Sequence, residues 1–488
     1  MISRRGVLGG LLAGVAAPVW AEAPMRPKPR PGTPAARQNA AGPDAAALVA
    51  AANLGGATSL VVADARSGQV LEAVSPDIEL PPASTAKAIT TLFAIERLGA
   101  GHRFLTQVLA TGPLAGGIVQ GDLVLAGSGD PLLATDDLGD LAAALKGAGV
   151  RGCTGRYLVW DGALPEITEI STDQPEYVGY NPAISGLNLN FNRVYFEWKR
   201  QNGGWGTSVD ARGERFVPPV SMARVSVADR ETPLFTYRNG REAEEWTVAA
   251  AALGKGGSRW LPVRHPGRYA AEVFHVLARA QGIDLPMPAL VGQRPAGQVL
   301  AQFGSDPLPE VLRGMLRHST NLTAEVMGLS SSGAGRLAAS GATMTDWAAE
   351  RLGARGKFVD HSGLGAASRI SALEFAHALV AAQATPMAQT FKAVLRNLGA
   401  PEEGEEDLGG PVKVIGKTGT LNFASTLVGY IQPASGRELV FAILSADTKR
   451  RDGLSMAERE SPPGGKAWLR RARGLQRDLI DRWAGLYV

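Results

Sequence analysis

Pro81-Pro82-Ala83-Ser84-Thr85-Ala86-Lys87 runs directly into a segment that is apolar at Ile89, Leu92, Phe93, Ile95 and Leu98 and stops at Gly99. Spacings of three and four predict an amphipathic helix from Thr85 to Leu98. Ser84 then stands at the helix N-terminus, and Lys87, three residues on, shares its face. Upstream, Ser59-Leu60-Val61-Val62-Ala63 reads as a strand, Arg66-Ser67-Gly68 as a turn and Gln69-Val70-Leu71-Glu72 as a returning strand.

The other end of the chain repeats the strand theme. Val412-Lys413-Val414-Ile415-Gly416 leads into Lys417-Thr418-Gly419-Thr420. Ala424 to Ile431 and Glu438 to Ser445 read as two more strands across a turn at Pro433-Ala434-Ser435-Gly436, and a last helix is predicted from about Ala467 to Leu486. Two early and three late strands predict a five-stranded antiparallel sheet flanked by helices, an α/β (α+β) fold in which both chain ends meet. Ser84 and Ser319 stand 235 positions apart, far more than a connection needs, so folded material is inserted between them. There, Gly121 to Gly127 and Arg156 to Trp160 read as strands, Asp136 to Gly147 as a helix, and Asp210 to Val263 as β-rich.

A serine hydroxyl attacks a carbonyl only when a base takes its proton. No partnered histidine is in sight, so Lys87 is the candidate base. A lysine starts near pKa ~10.4 and must be pushed down by burial and nearby cations, a field that Lys417 can supply. The Ser84 N–H, at a helix N-terminus, can help to hold an oxyanion, with a strand N–H beside Lys417-Thr418-Gly419 as the second donor. Gly419 lets a substrate approach the strand edge. Lys417 and Thr418 offer charge and a hydroxyl to a substrate carboxylate, which points to a C-terminal peptide. In Ser319-Thr320-Asn321, Ser319 can relay a proton between Lys87 and a leaving amine, and Asn321 can hold Lys87 or the substrate amide. Taken alone, Ser84 would be a helix cap, Ser319-Thr320-Asn321 a capping turn and Lys417-Thr418-Gly419 a strand end. Their joint occurrence, each at the element edge its chemistry needs, favours an acyl-transfer site.

Ser3-Arg4-Arg5-Gly6-Val7-Leu8 is a twin-arginine pattern, and no charge follows until Glu22. Gly6 to Trp20 is too short to span a bilayer, which takes about 20 apolar residues. An export signal over 1–21 is expected, cut after Ala21; a cut after Ala23 also fits but would leave Pro24 beside the scissile bond. The Pro/Ala-rich stretch 22–43 reads as an extended linker. Loss of Arg4 and Arg5 takes the formal charge from +4 to +2, so no nucleic-acid partner is expected. Cys153 is the single cysteine, which leaves no intramolecular disulfide and fits a periplasm reached in the folded state. The six histidines form no close ligand pair, and neither a metal nor a cofactor is expected. Glu402 to Asp407 reads as a solvated acidic loop. The last helix carries Arg470, Arg471, Arg473, Arg477 and Arg482 beside Trp468, Leu475, Leu479 and Trp483. Such a helix can lie weakly on a membrane surface, although packing on the sheet explains the apolar stripe equally well. No transmembrane segment is expected in the mature chain.

The three motifs S-x-x-K, S-x-N and K-T-G in this order resemble the D-alanyl-D-alanine carboxypeptidase/endopeptidase family, the low-molecular-mass class C penicillin-binding proteins. The likeness runs from about Ala46 to the C-terminus. It also rests on Gly127-Ser128-Gly129-Asp130-Pro131, Tyr180-Asn181-Pro182-Ala183-Ile184-Ser185-Gly186-Leu187 and Asp360-His361-Ser362-Gly363-Leu364. It implies a transpeptidase-like domain from 44–104 and 297–488, a second domain from 105–131 and 200–296, and a third from 132–199. It implies that Ser84 forms an acyl-enzyme, Lys87 accepts its proton, Ser319 is the third catalytic residue and Asn321 assists. Lys417, with Thr418 and Gly419, would bind substrate, the Thr420 N–H would complete the oxyanion hole, and Tyr180 would sit at the lip of the cleft. Asp173 and Glu176 are candidates for selecting the stem-peptide side chain. Two residues depart from the family pattern: Thr320 replaces Asp, and His361 replaces a Gly, a change expected to alter the cleft rim.

The expected protein is a periplasmic serine DD-peptidase that releases terminal D-alanine from peptidoglycan stem peptides, cuts cross-links and is acylated by β-lactams. A β-lactamase is the first alternative, but Leu187-Asn188 has Ile184 where an acidic residue would assist water. A non-catalytic wall-binding or sensor protein is the second.

Overall fold

The computed structural model describes residues 42–399, 412–434 and 436–488. The expected export signal, the linker up to residue 41 and the acidic run at 402–407 lie outside the described residues.

The central sheet has the strand order Arg396–Asn397, Val412–Leu421, Ala424–Pro433, Leu439–Ala446, Ala57–Asp64, Val70–Val74, all antiparallel. Five of these strands are those expected. The sixth, Arg396–Asn397, pairs only with Gly416 and Ile415; a two-residue strand has no period to read. Among the described residues, Val412–Leu421 is paired from Lys417 onward only on its Ala424–Pro433 side.

Successive apolar residues in these strands serve two different layers, because side chains alternate across a sheet. Leu60, Val62, Phe441 and Ile443 pack with Trp468, Leu475, Leu479 and Trp483 of the closing helix Gly465–Tyr487. Val61, Ala63, Val440 and Ala442 join Ile89, Leu92, Phe93 and Phe375 on the opposite face. The apolar stripe of the closing helix is therefore covered by the sheet, and Arg470, Arg471, Arg473 and Arg477 are exposed. Arg482 instead pairs with Glu72 at 3.0 Å, and Trp483 Nε1 donates to the same carboxylate at 2.9 Å.

Helix Ala86–Leu98 is buried at every residue from Ala86 to Ile95, a broader burial than a single stripe predicts. It is enclosed by Leu308–His318, Asn321–Ser332 and Leu337–Leu352. Its Gly99 cap has φ 81°, a conformation that glycine adopts without steric cost.

Between Leu98 and Leu308 the chain builds a five-stranded mixed sheet ordered Pro288–Leu290, Tyr157–Trp160, Leu123–Gly127, Leu105–Ala110, Gln298–Gly304, and three three-stranded sheets. A separate buried cluster includes Leu125, Leu138, Trp198, Trp246 and Phe274. Hydrogen-bonded ladders join Tyr157–Trp160 to Leu123–Gly127, Arg193–Gln201 to Gly204–Asp210, and Gln298–Gly304 to Leu105–Ala110. Strands on both sides of positions 131/132, 199/200 and 296/297 are thus paired to one another. Among the described residues, no helix is long and apolar enough to cross a membrane.

Candidate active site

Ser84 lies in the 3₁₀ turn Ala83–Thr85 that opens the buried helix. Ala83 has φ 47°, a left-handed conformation that costs an L-residue about 1–2 kcal/mol. The turn is tied down at Pro82, whose carbonyl accepts from Thr85 Oγ1 at 2.5 Å and from Thr426 Oγ1, on the central sheet, at 2.8 Å. A Cβ on Gly419 would stand 2.1 Å from Thr426 Oγ1 and 2.9 Å from the Ser84 amide nitrogen. Only glycine lets the strand pass this close to the serine.

Lys87 is fully buried. Its Nζ donates to Ser84 Oγ at 3.0 Å, to Asn321 Oδ1 at 2.8 Å and to the Ser362 carbonyl at 2.8 Å. Three acceptors match the three hydrogens of an ammonium. A neutral amine has two hydrogens and a lone pair, which can then face the serine hydroxyl. Burial pushes the Lys87 amine down to about 8, against the opposing charges of Glu325 and Asp360.

Asp360 belongs to a quoted motif and Glu325 follows Asn321 by four positions, and neither has a role assigned from the sequence. Glu325 accepts the His361 and Ser362 N–H groups at 3.0 and 2.8 Å; Asp360 accepts those of Gly363 and Gly365 at 2.8 and 2.5 Å. They fix the loop whose Ser362 carbonyl meets Lys87. Burial pushes both carboxyls up, and Asp360 pushes Glu325 further, to about 8. An acidic residue four positions after Asn321 on a buried helix was the available signal.

Lys417, 2% exposed, donates to Ser319 Oγ at 3.0 Å and to the Thr418 carbonyl at 2.7 Å. Its amine is held well below the usual lysine range, first by burial, then by Lys87 and Arg396. The expectation that Lys417 lowers Lys87 is corrected here: burial lowers Lys87, and Lys417 is itself depressed. Thr418 and Thr420 are exposed and alternate with buried Lys417 and Gly419, as the period of a strand requires.

The turn at 319–321 joins the two lysines. Ser319 caps helix Leu308–His318 in a left-handed conformation, φ 56°, and Asn321 begins helix Asn321–Ser332. Thr320 Oγ1 donates to Thr323 Oγ1 at 2.9 Å, so the departure at this position leaves its neighbours facing Lys417 and Lys87. Tyr180 is 42% exposed, and its carbonyl accepts Asn321 Nδ2 at 2.9 Å.

His361 does not reach the rim, contrary to expectation. Its ring is fully buried beside Phe93, 6.3 Å between centroids, with Nε2 2.6 Å from Ser340 Oγ. The space exists because Gly328 has no side chain: a Cβ there would lie 2.0 Å from the ring. Burial lowers the imidazole to about 3, so it is neutral. Asp173 stands near Arg459, 3.8 Å away, and accepts the Ala366 N–H at 3.3 Å. Glu176 lines a separate cavity with Glu169, Tyr237 and His265. Among the described residues, no three His, Cys, Asp or Glu are grouped to hold a metal.

The profile of the D-Ala-D-Ala carboxypeptidase 3 (S13) family matches residues 44–460. Over 447 residues the chain is 28% identical to the D-alanyl-D-alanine carboxypeptidase of Actinomadura sp. (strain R39), covering 80% of this chain and 78% of that one. It is 29% identical over 465 residues to a carboxypeptidase of Mycobacterium tuberculosis, covering 90% and 87% of the two chains. The crystal structure of penicillin-binding protein 4 from Haemophilus influenzae superposes with a TM-score of 0.71 at 20% identity, over 89% of this chain and 99% of that one. That likeness carries the mixed α/β fold. With the family profile extending from the first described helix to beyond the last strand, the chain belongs to the D-Ala-D-Ala carboxypeptidase 3 (S13) family of enzymes.

Proposed function

We propose that this chain is a penicillin-binding serine DD-peptidase that removes the terminal D-alanine of peptidoglycan stem peptides and also cleaves cross-links. The observation that carries the reading is the contact of buried Lys87 Nζ with Ser84 Oγ at 3.0 Å, beside the strand edge that opens at Lys417. Ser84 Oγ attacks the carbonyl carbon of the penultimate D-alanine as Lys87 takes the hydroxyl proton. The new O–C bond makes a tetrahedral oxyanion, held by the Ser84 and Thr420 N–H groups. As the C–N bond breaks, Ser319 relays the proton to the leaving amine. Water then attacks the acyl-enzyme and the acyl C–O bond to Ser84 breaks, one water proton going to Ser84 Oγ and the other to solvent, which leaves a carboxylate. Asn321 holds Lys87, while Lys417, Thr418 and Gly419 receive the substrate carboxylate and Tyr180 borders the cleft.

A carboxylate arriving at Lys417 would restore the proton that burial removes, because an opposite charge favours the charged amine. β-Lactams would acylate Ser84 by the same attack. The catalytic unit is assigned to 44–104 and 297–488 around the inserted material, and the export signal directs it to the periplasm. The test is labelling with a fluorescent penicillin beside digestion of purified muropeptides. Wild-type chain is expected to take one label and to release D-alanine, and Ser84→Ala is expected to do neither. Labelling of Ser84→Ala at the wild-type rate overturns the reading. Rapid turnover of the penicillin would favour a β-lactamase instead.

A further inference from the structure

Residues 168–181 form a loop that meets Asn321 in the cleft: the Tyr180 carbonyl accepts Asn321 Nδ2 at 2.9 Å. The other end of that amide, Oδ1, accepts Lys87 Nζ at 2.8 Å. The orientation of the Asn321 amide therefore depends on where the Tyr180 carbonyl is held. Asn181, the next residue, braces the loop from within. Its side chain accepts the Ile170 and Ser171 N–H groups at 2.9 and 3.0 Å and donates to the Ser171 carbonyl at 2.8 Å.

The outer hold on this loop comes from the inserted region. Arg264 is 5% exposed. Its Nη1 donates to the Thr168 and Asn181 carbonyls at 2.7 and 2.9 Å, and its Nη2 to the Glu176 carbonyl at 2.5 Å. Three carbonyls at the start, middle and end of the loop thus meet one rigid, planar cation. Arg264 is itself anchored at its backbone. Its N–H and that of His265 donate to the buried Glu244 carboxylate at 2.9 and 2.8 Å. Two neighbouring contacts add to the hold: Arg259 lies 4.9 Å over the Tyr177 ring, and Arg459 donates to the Asp173 carbonyl at 2.7 Å. Arg264 is the group among these that reaches Asn181, next to the carbonyl that Asn321 contacts.

We infer that Arg264 is a positioning residue for the cleft: by fixing the 168–181 loop it sets the Tyr180 carbonyl, and through it the Asn321 amide that orients Lys87. This rests on the acyl-enzyme reading above. It gives the inserted region a part in the reaction without touching substrate.

The experiment measures both the stoichiometry and the rate of fluorescent-penicillin labelling for full-length wild-type, Arg264→Ala, Arg264→Lys and Arg268→Ala. Arg268 donates to the Glu242 carbonyl, away from the loop, and serves as the nearby control. Arg264→Ala is expected to reach full stoichiometry at a rate about 10- to 100-fold lower, the scale of a small misplacement of reacting groups. Arg264→Lys, which keeps the charge but not the planar fork, should fall between, and Arg268→Ala should match wild type. A wild-type rate for Arg264→Ala overturns the inference. So does a reduced labelled fraction that reacts at the wild-type rate, because that is loss of folded protein alone. If Arg264→Ala does not fold, Arg264→Lys decides: full labelling at a lower rate supports the inference, and a wild-type rate overturns it. A wild-type chain that takes no label overturns the acyl-enzyme reading and this inference with it.

Discussion

Lys87 and Lys417 occupy the same cleft, are equally hidden from water and are both depressed by burial, yet their surroundings are opposite. Behind Lys87 stand two carboxylates, Glu325 and Asp360, which resist the loss of its proton. Around Lys417 the neighbouring charges are cationic, Lys87 and Arg396, and they add to the effect of burial. In the proposed reaction the first amine, held within reach of neutral pH, exchanges protons, and the second receives an anion. Neighbouring charge, more than residue type or depth, separates the two jobs.

The strongest way to break this contrast is to remove the exchanger. Lys87→Met should slow acylation of Ser84 by about 10²- to 10⁴-fold, the usual contribution of a positioned base, measured by penicillin-labelling rate. A loss below tenfold would mean that another group takes the proton. Lys417→Ala should act differently. It should weaken use of peptides ending in a free carboxylate by about 10- to 100-fold, the scale of a lost charge-assisted hydrogen bond, and affect an amidated peptide far less. Equal losses on both peptides would make the two lysines alike and undo the comparison.

The pH dependence sharpens it further. Acylation should rise through a limb near about 8 as Lys87 becomes neutral, since only the neutral amine accepts a proton. Glu325, itself pushed up to about 8, becomes negative over the same range, so Glu325→Gln removes a charge that holds the proton on Lys87 there and should move that limb to lower pH in a rate–pH profile. A shift upward would contradict the assigned sign. The smallest effect is expected from Arg396→Ala. Arg396 is exposed, so its field is screened, and its loss should raise Lys417's proton affinity only slightly. KM for carboxylate-ending peptides should then begin its rise at a slightly higher pH, a change of less than about threefold at fixed pH. A large change would place Arg396 on the substrate itself.

Much of the cleft was legible in the sequence, for a definite reason. Ser84 and Lys87 are local partners: a three-residue spacing on a helix with clear periodicity puts them on one face. Lys417 and Gly419 could be assigned to a strand because apolar residues precede and follow them. What could not be read depended on distant segments meeting. Nothing in the spacing of Glu325 and Asp360 says that they converge behind Lys87. His361, a polar residue in a loop motif, suggested the rim, but the absence of a Cβ at Gly328 opened a place for it in the core. Arg396–Asn397 is too short to carry a period, and Arg264 meets its three carbonyls from more than 80 positions away.

The pairing of the first long strand with the last has a consequence for synthesis. Ala57–Asp64 is bonded along its length to Leu439–Ala446, and the side chains of Thr58 and Ser445 meet at 3.0 Å across 387 positions. Such a pairing must close a very long loop before it gives any return, which makes it intrinsically slow. As the chain leaves the ribosome, its earliest apolar strand can pair with Val70–Val74 on one edge, but the other edge has no partner until nearly the whole polypeptide has been made. Until then Leu60, Val61 and Val62 sit on an open edge, the kind that sticks to other chains. Translation that stops short of residue 439 would leave Ser84 and Lys87 adjacent in sequence but without the layer that buries them, so truncated products should aggregate rather than work.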